Sequence, residues 1–175
     1  MQYDLVQETD RLYTAIGRVV VSFQFVESLV GELLASLLKL REPGDAHRIT
    51  ASMSFRQKVD LFCDLYPTRN SGKLSIDIAV ARKALFSAEE FRNSVVHSFW
   101  YVGGSDTSKW MRSKSTLKTP KGFKITSGEA NTSCLESGAA AIDTVRDFYL
   151  GRIEILKEAS SILEKCIKTI SMQPS

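Results

Sequence analysis

The sequence is poor in the residues on which most site chemistry rests. It has three cysteines, Cys63, Cys134 and Cys166, and two histidines, His47 and His97. The cysteines are odd in number and scattered, with no CxxC pair. That excludes a disulfide framework and the usual zinc-ligand spacings. Such thiols suit a reducing compartment, where each acts as a small buried hydrophobe. Two histidines far apart in sequence give no basis for a histidine-built metal site, and no metal or other cofactor is expected. Neither histidine belongs to a GxSxG-type nucleophile motif. No GxGxxG or GxxxxGK[ST] phosphate cradle occurs. No continuous apolar run approaches the roughly 18 residues of a membrane span. The N-terminus, Met1-Gln2-Tyr3-Asp4, lacks the basic and then apolar pattern of a signal peptide. The expectation is a soluble cytoplasmic protein without a membrane segment.

What is present is ordinary for one globular domain spanning residues 1–175. The chain is 43% hydrophobic and 25% charged, and long enough to bury a sizeable core. A net charge of +3 is too small to identify a partner unless it clusters.

Apolar periodicity is helical almost throughout. A first helix is expected from Asp4 to Leu40, its stripe Ile16, Val19, Phe23, Val26, Val30, Leu33, Leu37 and Leu40 stepping by threes and fours. Pro43-Gly44 ends it, and Asp45 can cap a short helix to Ala51. Ser54-Phe55-Arg56-Gln57 reads as a capping box opening a helix to Tyr66, which Pro67 stops, with 69–72 as loop. A third main helix is expected from Lys73 to Trp100, ended by Gly103-Gly104. A second capping box at Ser133-Cys134-Leu135-Glu136 opens a last helix to Ser171, before a tail at 172–175. Residues 105–131 break the pattern. There, Thr119-Pro120-Lys121-Gly122 suits a type I turn between two strands. The fold class is therefore all-α, a bundle of four main helices with a small β-hairpin inserted before the last.

Charge does cluster in that insertion. It holds Lys109, Arg112, Lys114, Lys118, Lys121 and Lys124, with no acidic residue between Asp106 and Glu129. These cations, with Trp110 as a stacking ring, form a candidate RNA-binding set. The plainer alternative is a solvated edge whose lysines resist aggregation.

The segment most suited to chemistry is Arg92-Asn93-Ser94-Val95-Val96-His97. On a helix, Asn93 and His97 are one turn apart, and the long Arg92 side chain can reach the same patch. An imidazole moves protons near neutral pH, and a guanidinium braces a phosphate that gains charge in a transition state. Arg92, Asn93 and His97 are the candidate catalytic residues. The alternative for His97 is a half-buried helix-end histidine. Glu27 interrupts the stripe of the first helix, so it either pairs with Arg92 or orients His97, or faces water at the rim. Gly31 beside it either admits a close helix or is merely tolerated. Phe99-Trp100-Tyr101 reads as core, dimer interface or a base-stacking platform.

Arg-Asn-x-x-x-His late in the third helix of an all-α bundle resembles the signature of the HEPN superfamily, an Arg and a His separated by four to six residues. The resemblance spans the bundle in architecture and these six residues in identity. It implies a metal-independent ribonuclease whose site forms where two Arg-His motifs meet, and hence a homodimer acting on RNA. It also implies a toxin–antitoxin or phage-defence setting with an antitoxin or operon-encoded partner. The superfamily's inactive members imply the alternative, a scaffold that binds RNA, a nucleotide or a protein.

Overall fold

The computed structural model describes residues 2–70, 75–103, 109–118 and 122–171. The described chain is mainly helical, with one small antiparallel sheet. Helix α1 spans Gln2–Leu37, α2 Pro43–Ala51, α3 Phe55–Arg69, α4 Ile78–Val96, α5 Thr132–Arg146 and α6 Ile153–Ser171. Strands β1 Phe99–Val102, β2 Trp110–Lys118 and β3 Gly122–Glu129 lie between α4 and α5.

The stripe of α1 enters the core as its periodicity requires. Leu12, Ala15, Val19, Phe23, Val26, Val30 and Leu34 are buried, again at steps of three and four. All of these but Leu34 meet Val59 and Phe62 of α3, Ala84, Leu85 and Phe91 of α4, and Ile142 of α5 in one cluster with Leu163 of α6. The Ser54 capping box forms: its hydroxyl accepts from Gln57 N, and the Gln57 side chain accepts from Ser54 N.

One face of α1 remains uncovered, with Tyr13, Val21 and Phe25 at least half exposed. Within Leu5–Leu37 an 18-residue window reaches a mean hydropathy of 1.5, long and apolar enough to cross a membrane by length and composition, although a third of that window is buried in the bundle. The expectation that no segment approaches a span holds only for unbroken apolar runs. Averaged hydropathy counts the core stripe and the exposed apolar residues together.

Several expected boundaries shift, each for a local reason. Pro43 opens α2 rather than closing α1, because proline's fixed φ suits a first helical turn. The α2 N-cap is Glu42, and Asp45 lies in the first turn, paired with Arg48 at 3.2 Å. Pro67 lies inside the last turn of α3, where a missing N–H removes only a terminal bond. Helix α4 starts at Ile78, where Asp77 accepts from Val80 N, and not at Lys73. Asn131, not Ser133, caps α5 by accepting from Cys134 N at 2.8 Å.

Two differences are larger. The hairpin is a three-stranded sheet, ordered β1-β2-β3, because Phe99–Val102 leaves the helix and pairs with β2. Phe-Trp-Tyr-Val is a β-forming run, and Trp100 Nε1 fastens it by donating to Val95 O at 3.2 Å. The expected turn residues 119–121 and the tail 172–175 lie outside the described residues, as do 71–72 and Gly104. The expected last helix is two: α5 ends at Arg146, a 3₁₀ turn covers Asp147–Leu150, and α6 starts at Ile153. Gly151 makes the break at φ 70°, and a Cβ there would sit 2.5 Å from Ser75 O.

Gly138 is the most crowded of the described glycines. A Cβ on it would run into the Phe91 ring, and both residues are buried. Gly138→Ala is expected to cost about 2 kcal/mol by overpacking, read as a lowered denaturant midpoint at unchanged slope.

Candidate functional site

The C-terminal turn of α4 gathers the motif. Arg92 is half-buried, its guanidinium 4.7 Å from the centre of the Phe23 ring on α1, and its Nη1 donates to Asn93 Oδ1 at 2.7 Å. Stacking on a ring and a hydrogen bond to the neighbouring amide hold the cation in one direction. His97 is the C-cap, with φ −92° and ψ 24°, and its backbone N–H donates to Asn93 O and Val95 O. Its side chain is exposed. The expected helix therefore stops one residue before His97, and the imidazole leaves the bundle at the helix end. Arg92 and Asn93 are brought together; His97 stands one turn on, open to solvent.

Glu27 is held elsewhere. Its Oε1 accepts from Lys58 Nζ of α3 at 2.8 Å, a pair in which the lysine side chain is 11% exposed. This corrects the expectation that Glu27 pairs with Arg92 or orients His97. The carboxylate answers a buried ammonium, which would be costly to leave alone. The pair lines a cavity of about 680 Å³ with Gly31, Ala35 and Thr50, and no heavy atom lies near a Cβ placed on Gly31.

The sheet redistributes the basic set. Residues alternate sides along a strand. Trp110, Arg112 and Lys114 all turn toward the helices. Trp110 is half-buried: its Nε1 donates to Thr9 Oγ1 at 3.0 Å and its ring meets Tyr13 edge-on at 5.7 Å. Arg112 is 6% exposed. Its Nε donates to Ser98 Oγ at 2.8 Å, its Nη2 to Ser94 O at 3.0 Å, and its Nη1 to Ile170 O. Burial pushes this guanidinium down to about 10, so it is cationic at neutral pH. Trp110 and Arg112 are thereby committed to the interior and leave the expected RNA-binding set.

Lys114 Nζ reaches Asn93 O at 3.4 Å, which brings a further cation to the motif. Lys109 pairs with Glu129 at 3.3 Å on the surface, and Lys124 is exposed. Lys121 and the side chain of Lys118 lie outside the described residues, as does the side chain of His47.

Helix α4 has no basic residue in its own last turn. Arg112 and Lys114 supply the cations from the sheet, at the negative end of the helix dipole. Nothing in a linear reading of charge signals this. The i, i+2 spacing of Trp110, Arg112 and Lys114 was the available clue, since it puts all three on one strand face.

Two further thiols meet unannounced by the sequence. Cys166 of α6 contacts Cys134 of α5, with its Sγ 3.3 Å from Cys134 O. The hydrogen bond between the thiols, with burial, pushes Cys134 up. Burial pushes Cys63 up to about 11, which keeps it a protonated core residue. Among the described residues, no three His, Cys, Asp or Glu side chains group so as to hold a metal ion.

No protein-family model, curated protein or solved structure matches the chain.

Proposed function

We propose that the protein is a metal-independent endoribonuclease of the HEPN type, working as a homodimer. One observation carries the reading. A guanidinium fixed by Asn93 and Phe23 belongs to a residue five positions before a histidine whose side chain faces solvent. A general acid–base group has to reach substrate, and a charge-bracing group has to be held still. His97 and Arg92 meet those two requirements. His97 as the exposed imidazole of each chain also suits a site completed by a second copy, in which two such histidines face one cleft.

In that site, one His97 takes the proton of a ribose 2′-hydroxyl as its oxygen attacks the adjacent phosphorus. The bond to the 5′-oxygen breaks, and a second imidazole returns a proton to that oxygen. A 2′,3′-cyclic phosphate and a 5′-hydroxyl end result. Arg92 stabilises the charged phosphorane, and Lys114 adds positive potential beside it. DNA, lacking the 2′-hydroxyl, is not cut.

The test is incubation of the wild-type protein with a mixed RNA pool in EDTA, followed by end analysis. Cyclic-phosphate ends are expected, and DNA of the same sequences should remain intact. Cleavage only on adding a divalent ion, or 3′-hydroxyl products, would refute the mechanism. The second reading is a non-catalytic scaffold that binds RNA, a nucleotide or a partner protein. Its supporting observation is the packing of Arg92 on Phe23, which gives the arginine a structural use. It expects no cleavage from a folded dimer.

A further inference from the structure

The outer face of the sheet is an exposed aromatic surface near the motif. Contacts of Trp110, Arg112 and Lys114 with the helices fix the inner face. The alternate residues face outward. Phe99 is 69% exposed, and its ring lies nearly parallel to that of Tyr101, at 22° and 5.6 Å between centres. Phe123 and Ile125 on β3 are 65% and 53% exposed. Register places Ser113 beside Phe99, Ser127 beyond Ser113 on the third strand, and Ser115 beside Ile125. Aromatic and aliphatic side chains thus border a floor of small hydroxyls. Phe99 follows His97 by two residues, so this face adjoins the proposed site.

We propose that this face is a stacking platform for the unpaired bases of single-stranded RNA, with Phe99 as its principal ring. The proposal rests on the ribonuclease reading and supplies its substrate class. Three features select this occupant over an apolar one. The two rings are stacked in parallel, which presents a flat π-face such as bases accept. The serine floor offers hydrogen bonds to base edges. The sheet segment is net basic: Lys114 and Lys124, which alternate onto its other side, raise the potential around the platform, while Lys109 and Glu129 at its edge pair with each other, and a polyphosphate strand is drawn to such a potential. The platform reads splayed bases while Arg92 and His97 address the backbone beside them. The structure exchanges the expected stacking residue, Trp110, which is packed on Tyr13, for Phe99, which is open.

The experiment is binding of a fluorescent single-stranded 2′-O-methyl oligoribonucleotide to the full chain, followed by anisotropy. That probe has no free 2′-hydroxyl, so binding is read separately from cleavage. Wild type is expected to bind, Phe99→Ala to lose about ten-fold in affinity, and Phe99→Trp to keep it. Phe99 is exposed, so Phe99→Ala should retain its circular dichroism and melting temperature. Equal affinity of wild type and Phe99→Ala would overturn the platform, while cleavage by wild type would leave the Arg92–His97 reading intact. Absence of wild-type binding would also overturn it. A Phe99→Ala protein that loses its dimer and keeps its RNA affinity would assign the face to a second copy of the chain instead.

Discussion

Replacing His97 with alanine is expected to lower RNA cleavage by about 10³-fold, within the range a positioned proton-transfer group supplies. The variant should fold as the wild type does. His97 projects from the end of α4, and it is the backbone N–H, retained by alanine, that closes the helix on Asn93 O and Val95 O. Activity and stability should therefore separate cleanly. They should not separate for Arg92→Ala, which removes the brace and also uncovers Phe23 beneath the guanidinium. Its expected loss is about 10² in kcat. The double variant should be scarcely slower than His97→Ala alone, because groups that act on one transition state do not contribute additively. Initial rates on one RNA, with melting curves for each variant, give all three comparisons. A His97→Ala protein that cleaves like wild type would end the ribonuclease assignment.

How far these residues could be read in advance differs along the chain. The core face of α1 was legible because its spacing is regular from Val19 to Val30, and burial follows spacing on a helix. The Ser54 capping box was legible because its two hydrogen bonds lie within four residues. The break between α5 and α6 was not legible, since apolar residues continue through it and only Gly151 marks the left-handed turn. Strand β1 was hidden for the same kind of reason. Phe99 falls four residues after Val95 and extends the helical stripe, whereas its actual state depends on pairing with β2, 14 residues away at Ser113.

The candidate site divides along the same line. Arg92, Asn93 and His97 are neighbours on one helix, so their approach was local geometry. The destinations of Glu27, Trp110 and Arg112 were tertiary facts. A positive charge in a lysine-rich segment shows sign and density, and only the sheet's orientation decides whether it meets solvent or a helix end. Arg112 is the clearest case, a guanidinium that counted toward a surface patch and is instead one of the most buried cations.

That placement makes Arg112 the residue whose loss should most damage the fold. Its three donors join Ser98, the end of α4 at Ser94 O and the end of α6 at Ile170 O, and the ring of Trp100 lies 6.0 Å from its carbon centre. No carboxylate pairs with it in these contacts. Carbonyls at two helix ends, the negative poles of their dipoles, offset the cost of burying it. Arg112→Ala leaves a cavity and strips Ile170 O of this donor, so about 4 kcal/mol of stability should be lost, roughly 10 °C in Tm. Arg112→Met fills most of the volume without donors and should fall between alanine and wild type. Arg112→Lys keeps charge but reaches fewer acceptors, and should also fall between them. The residue adds no pH dependence near neutrality. Its folded value of about 10 lies below the ordinary arginine value, so the unfolded chain binds the extra proton only between the two, where stability rises with pH. The same variants separate the two uses of this cation. As a clamp between helix ends, its replacement lowers Tm and spares the RNA affinity of whatever remains folded. As a phosphate contact, it would weaken RNA binding and leave Tm near that of the wild type, and a Met variant as stable as wild type would refute the clamp.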